Sequence, residues 1–266
     1  MLVLSFNQIS LSDFALRTPP CRLLVALVFC CFGISAVQAE TDLTGVWVLL
    51  AHNRPGGMFG APADPELSAQ GQAIVNEFQR SYSSEAPERG AFCVNSGMPE
   101  SMFGIAGYPL DIIQTENRIT FISEFQSEVR RVYLDGRSMP KDYPVTRNGY
   151  AIGQWQLEEG RNVLNIETAL IKAWEVDKWV HSDQASVEER IMLKPASELV
   201  DVLAQAAELP TDERVLENRI TVTDPVMYDS PQSVTVWMQR VSDSQLLEYN
   251  CVEYNWRNVL EDYKTE

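Results

Sequence analysis

Histidine is almost missing from this chain: His52 and His181 are the only two in 266 residues. A catalytic zinc site commonly takes three protein ligands, His prominent among them. Neither H-x-x-x-H nor C-x-x-C occurs, so no metal site is expected. No Ser stands in a G-x-S-x-G elbow, no Gly-rich loop is built to cradle phosphates, and no dinucleotide fingerprint appears. No cofactor is expected either. Positive charge is scarce as well, with 21 Lys and Arg against 37 Asp and Glu, a net −16. Nucleic acid and anionic membrane surfaces call for clustered positive charge, so both are excluded as partners.

Long apolar runs are also few. Leu23 to Val37 (LLVALVFCCFGISAV) is the longest, short of the ~20 residues that a comfortable bilayer span needs. Arg17 and Arg22 precede it, and Val37-Gln38-Ala39 puts small residues at −3 and −1 of a cleavage site. Basic flank, apolar centre and small-residue exit make residues 1–39 a signal peptide, with an uncleaved anchor as the alternative. A lipoprotein is disfavoured by Phe29 before Cys30. The expectation is an exported protein, periplasmic or secreted, with residues 40–266 as one domain. Its mature part keeps 19 Lys and Arg against 36 Asp and Glu. Of five cysteines only Cys93 and Cys251 remain, which in an exported chain reads as a disulfide.

What is present is β-strand pattern. Thr44 to Ala51, Leu110 to Thr115, Arg118 to Glu124, Glu128 to Leu134, Tyr150 to Leu157, Arg161 to Ile171, Ser186 to Leu193, Val215 to Asp224, Ser233 to Arg240 and Leu246 to Cys251 have strand length and composition. Glu116-Asn117 and Gln126-Ser127 read as two-residue turns, which force antiparallel neighbours. Ser68 can cap a helix whose stripe is Ile74, Val75, Phe78 and Tyr82. A second helix is expected between Pro195 and Pro210, with Leu199, Val200, Leu203, Ala206 and Ala207 on one face, and a third, short one in the C-terminal tail. A meander of about ten strands closes or covers its edges. The fold class is therefore all-β: an antiparallel up-and-down barrel, lipocalin-like, with two or three short helices. A β-sandwich is the alternative.

The motif order resembles a family of exported bacterial proteins of uncharacterised function. The carriers are Leu43 to Trp47 (LTGVW), Cys93 to Pro99 (CVNSGMP), Tyr108 to Thr115 (YPLDIIQT), Val129 to Arg137 (VRRVYLDGR), Gly149 to Trp155 (GYAIGQW), Val187 to Arg190 (VEER), Thr223 to Pro225 (TDP) and Glu248 to Asn255 (EYNCVEYN). The likeness covers most of the mature chain and implies no particular activity. The chain departs from the family at Met139, where similar proteins carry His, and at Tyr150-Ala151, where they carry His-Ser. The segment Ser197 to Leu209 resembles an insertion into that pattern.

Two functions follow as expectations. The first is a barrel that binds a small, largely apolar molecule, gripped by an inward Arg or Tyr. Strand alternation lets Arg130 or Arg131 face inward, not both, and Glu124 is the partner expected for it. Tyr133 and Trp155 belong to the same candidate lining. Met98, Met102 and Phe103 lie in an unusually apolar loop, which reads either as a lid over a cavity or as a loop packed on the core. The second is a cofactor-independent isomerase or lyase. Its acid–base candidates are His181, with Asp183, Glu188 and Glu189 close in sequence, Tyr150, and Glu124.

Overall fold

The computed structural model describes residues 41–50, 65–81, 94–95, 97–103, 108–175, 179–204 and 213–249. Nine strands follow one another around a closed barrel. They are β1 (Gly45–Leu49), β2 (Leu110–Thr115), β3 (Arg118–Ser123), β4 (Glu128–Tyr133), β5 (Tyr150–Glu158), β6 (Arg161–Ala169), β7 (Ser186–Pro195), β8 (Arg214–Thr223) and β9 (Gln232–Arg240). The expected tenth strand at Leu246 to Cys251 is not one; residues 244–249 run outside the sheet and Cys251 lies outside the described residues.

The expectation of an all-antiparallel barrel needs one correction. β4 and β5 run parallel, joined only through Val132↔Ala151 and Tyr133↔Ile152. Closure explains why. Each antiparallel neighbour reverses direction, so a ring needs an even number of reversals, and nine strands therefore require a parallel pair. A parallel pair in turn requires a crossover rather than a hairpin. The Pro-containing segment 134–149 between β4 and β5 is that crossover.

The sequence forms these strands for local reasons. In β3, Ile119 and Phe121 are buried and share a face, as period-two alternation requires. Glu116-Asn117 closes the β2–β3 hairpin as expected. The β3–β4 connection is longer than expected. It is a 3-10 turn, Phe125–Ser127, with Gln126 and Ser127 at positive φ.

Two α-helices accompany the barrel in the described residues: α1 (Ala69–Ser81) and α2 (Val200–Leu203). Ser68 caps α1 as expected, accepting from the Gly71 amide at 2.9 Å. The helix sits on the β8–β9 connection, and a Cβ at Gly71 would meet the Met227 carbonyl at 2.5 Å. The second expected helix is only partly seen: a 3-10 turn Ala196–Glu198 and the short α2, with residues 205–212 outside the described set. Leu199 is buried as expected, against Leu50 and Val215, but Val200 is exposed. Leu203 packs partly against the same cluster, and Ala206 and Ala207 lie outside the described residues. The C-terminal tail expected as a helix lies outside the described residues.

The interior is packed with side chains. Trp47, Ile112, Ile119, Phe121, Leu164, Ile191, Leu216 and Met238 are essentially fully buried. Trp47 stands on β1, donates from Nε1 to the Leu43 carbonyl at 2.8 Å, and lies under the Arg240 guanidinium. No helix among the described residues is long and apolar enough to cross a membrane.

Candidate functional site

One barrel end is covered by three connections: residues 97–103, the described parts of 170–185, and 224–231. Asp224 organises them. Its carboxylate accepts from the Ser182 amide at 2.6 Å, the Ser182 hydroxyl at 2.9 Å, and the Val226 and Met227 amides. The Tyr228 hydroxyl donates to the Val180 carbonyl. Phe103 meets Trp179 edge-on at 5.2 Å. Met98, Met102 and Phe103 are buried in the main core, so this loop is packed rather than held open over a cavity. The Gly97–Met98 backbone is seated on Arg147, with the Met98 amide donating to its carbonyl at 2.9 Å.

His181 belongs to this plug. It is 2% exposed. Its backbone pairs with Trp174, and Nδ1 lies 3.0 Å from the Trp179 carbonyl. Burial lowers its pKa, against opposing pulls from the Trp179 carbonyl and Asp224. Glu189, read as its neighbour, points instead into the barrel.

Glu189 meets Arg130 there. Arg130 is the inward member of the Arg130–Arg131 pair, 3% exposed, and Arg131 faces out. The expected partner Glu124 is corrected. It lies past the end of β3, at the start of the 3-10 turn, and accepts from the Leu247 amide at 2.7 Å. Opposite Arg130 on β3 stands Phe121, whose ring lies under the guanidinium. The carboxylate comes from across the barrel: Arg130 Nη2 pairs with Glu189 and donates to Thr168 Oγ1 at 2.9 Å. Asn218 Nδ2 donates to the other Glu189 oxygen at 3.0 Å. The pair is fully desolvated, so its worth is the attraction left after a large desolvation cost. Arg130 Nε and Nη1 and Asn218 Oδ1 are buried with no partner.

Glu128 lies two residues before Arg130 on the same face, and is also buried. Burial pushes its carboxyl up to about 7, against Asn148, the Arg130 and Arg147 guanidiniums and the Gly97 amide, which pull it down. Its Oε1 has no hydrogen-bond partner.

The wall is interrupted between β4 and β5. On one side of the two paired residues lies a cleft of about 340 Å³. It is lined by Asn95, Val129, Arg130, Arg131, Tyr133, Tyr143, Thr146, Arg147, Asn148, Gly149, Tyr150 and Ala151. Its tyrosines are clustered: Tyr133 stacks on Tyr150 at 5.2 Å and Tyr143 meets Tyr150 edge-on at 4.8 Å. Arg137 covers the Tyr133 ring at 3.8 Å and donates to the Tyr150 hydroxyl at 3.2 Å. Arg147 lies over Trp174. Arg131 makes no ion pair or hydrogen bond among the described residues. Val129, Tyr143 and the neighbouring Val145 are exposed apolar groups at the rim.

The structure thus brings together Arg130, Arg131, Tyr133 and Tyr150 of the sequence-read candidates. It leaves Met98, Met102 and Phe103 in the packed plug, and Trp155 half-buried against the core. His181, Tyr150 and Glu124 stand in three different settings and form no common acid–base set. Cys93 and Cys251, the candidate disulfide, lie outside the described residues. Glu128, Tyr143, Arg147 and Asn148 were not read as site residues, and Glu189 only as a carboxylate close to His181 in sequence. Alternation gave a signal for one of them, since Glu189 interrupts the apolar face of Val187 and Ile191.

Fold and cleft define a class, a closed β-barrel with a polar-aromatic cleft in its wall. Comparison with protein-family models, with curated proteins and with solved structures finds no match in any of the three.

Proposed function

We propose that the protein binds a small molecule in the β4–β5 cleft, one with an anionic group beside a flat, largely apolar body. One observation carries this reading. In a chain of net charge −16, the cleft lining includes Arg131 and Arg147, beside the Glu189-paired Arg130, and no carboxylate. A guanidinium fork suits a carboxylate, sulfonate or phosphate bidentately. Three tyrosines and the Val129 and Val145 rim offer the body a surface to stack on. The volume lies at the small end of the range for ligand sites, ~300–1,000 Å³. The small, largely apolar ligand expected from sequence thereby acquires a charged end.

Anilinonaphthalene sulfonate has this chemistry and serves as the probe. Fluorescence titration is expected to give saturable binding, weakened about tenfold by Arg131→Ala, the scale of one lost charge-assisted contact. Equal affinity of the variant and the parent would refute the site. The same reading includes export, supported by the leader pattern of residues 1–39, and a Cys93–Cys251 bridge. N-terminal sequencing of the mature protein and thiol titration of denatured, unreduced protein test them. A retained Met1 or two free thiols would count against each in turn.

A further inference from the structure

The other side of the β4–β5 pairing holds a second and larger recess, a groove of about 630 Å³. It runs across the outer face of β5 to β8. The strand registers lay its outward residues in two rows. One row is Ile152, Glu167, Glu188 and Thr221; the next is Gln154, Asn165, Arg190 and Arg219. All eight line the groove, with Leu134, Ile166 and Arg137.

These rows set like charges directly opposite one another. Glu167 faces Glu188 on the neighbouring strand, and Arg190 faces Arg219. Such cross-strand pairs repel and work against the sheet. The diagonal partners would relieve both, since Glu167 is diagonal to Arg190 and Glu188 to Arg219. Neither diagonal closes: among the described residues Glu167, Glu188 and Arg219 make no ion pair, and Arg190 pairs instead with Glu158. Two carboxylates and two guanidiniums are therefore kept apart, with an open groove over them. Arg190 uses one nitrogen for Glu158, and a guanidinium has five N–H donors.

We infer that this groove is a second binding site, for a short dipolar ligand with an ammonium at one end and a carboxylate at the other, of which a free dipeptide is the type. The ammonium lies between Glu167 and Glu188 and the carboxylate on Arg190 and Arg219. Spacing supports the length. Two positions along a strand are ~6.6 Å apart, and two extended residues span at most ~7 Å. Leu134 and Ile152 give the ligand's side chains an apolar floor. A dipolar guest cancels both repulsions at once, which an anion or a cation alone does not.

The test uses full-length mature protein, isotope-labelled, titrated with glycyl-leucine, its N-acetylated form and its C-terminal amide. Free glycyl-leucine is expected to shift the amides of Gln154, Asn165 and Thr221 saturably. Blocking either terminus is expected to weaken binding about tenfold, the scale of one lost charge-assisted contact. Glu188→Gln is expected to abolish the preference for a free amine, and Arg219→Gln that for a free carboxylate. Both variants keep the binding of anilinonaphthalene sulfonate in the other cleft, so failure of one site is distinguishable from failure of the other. No saturable shift at these amides would overturn the inference. So would blocked peptides that bind as well as the free one, or variants that raise Tm and leave affinity unchanged.

Discussion

β7 and β8 pair continuously from Ser186↔Thr223 to Pro195↔Arg214, whereas β4 and β5 meet only at Val132↔Ala151 and Tyr133↔Ile152. The two regions belong to one closed wall but are held by different physics. The β7–β8 wall is carried by an unbroken hydrogen-bond ladder over a core of Val187, Ile191, Leu216 and Ile220. The seam has little ladder. What holds it is side chains: Leu134 and Val132 folded against Gly153, the tyrosine stack, and Asn148 donating to the Val129 carbonyl at 3.3 Å. A barrel of nine strands must contain such a seam, and both recesses lie beside it.

The wall breaks most readily at its buried charge. Glu189→Ala leaves Arg130 desolvated and unpaired, with a loss of ~3–5 kcal/mol expected in denaturant unfolding. Replacing Arg130 and Glu189 together by Met is expected to recover most of that loss, since a desolvated pair is often matched by apolar packing. If the double variant is as unstable as the single one, the pair is not the element that fails.

The seam has its own buried acid, and its effect depends on pH. Glu128 is raised from 4.5 to about 7, so between these values the folded protein binds more protons than the unfolded chain. Stability from this group is full below about pH 4.5 and is lost as pH rises to about 7. At ~1.4 kcal/mol per pH unit the loss is roughly 3 kcal/mol, and Glu128→Gln should remove it. Urea midpoints taken near pH 5 and near pH 8 read the difference directly; a variant with the parent's pH slope would exclude Glu128 as its source.

A smaller effect belongs to the one close approach across the seam. A Cβ at Gly153 would meet Val132 Cγ1 at 2.9 Å and Leu134 Cδ2 at 3.1 Å. Gly153→Ala should cost ~1–3 kcal/mol through overpacking and speed amide exchange at Val132 and Ala151, with β8 unchanged. Uniform exchange across both regions would mean that seam and wall are a single unit. Smallest is Arg131→Ala, expected within ~0.5 kcal/mol of the parent because the side chain is exposed and makes no ion pair. Its effect is confined to ligand binding.

How much of this the sequence carried depends on the range of the interaction. Local rules found the Ser68 cap, the Glu116-Asn117 turn and the alternation of Ile119 and Phe121, because each involves residues within a few positions. Alternation also required that only one of Arg130 and Arg131 face inward. It could not name the partner. Glu124 is six residues from Arg130 in sequence, whereas Glu189 lies across the barrel on β7 and is brought there only by closure. The parallel seam was missed for the same reason. Strand direction after a long crossover depends on how many strands complete the ring, and the extra strand counted at Leu246 made ten, an even number that closes without a parallel pair. The burial of His181 was not legible because it comes from the distant segments around Glu100, Asp224 and Tyr228.

The central claim is that the seam cleft holds an anionic small molecule. Native mass spectrometry of protein purified from its own host, beside the Arg131→Ala variant, tests it most directly. A retained small molecule with an acidic group is expected on the parent, and its loss from the variant. A parent that flies free of any guest, or a guest kept equally by both proteins, would contradict it.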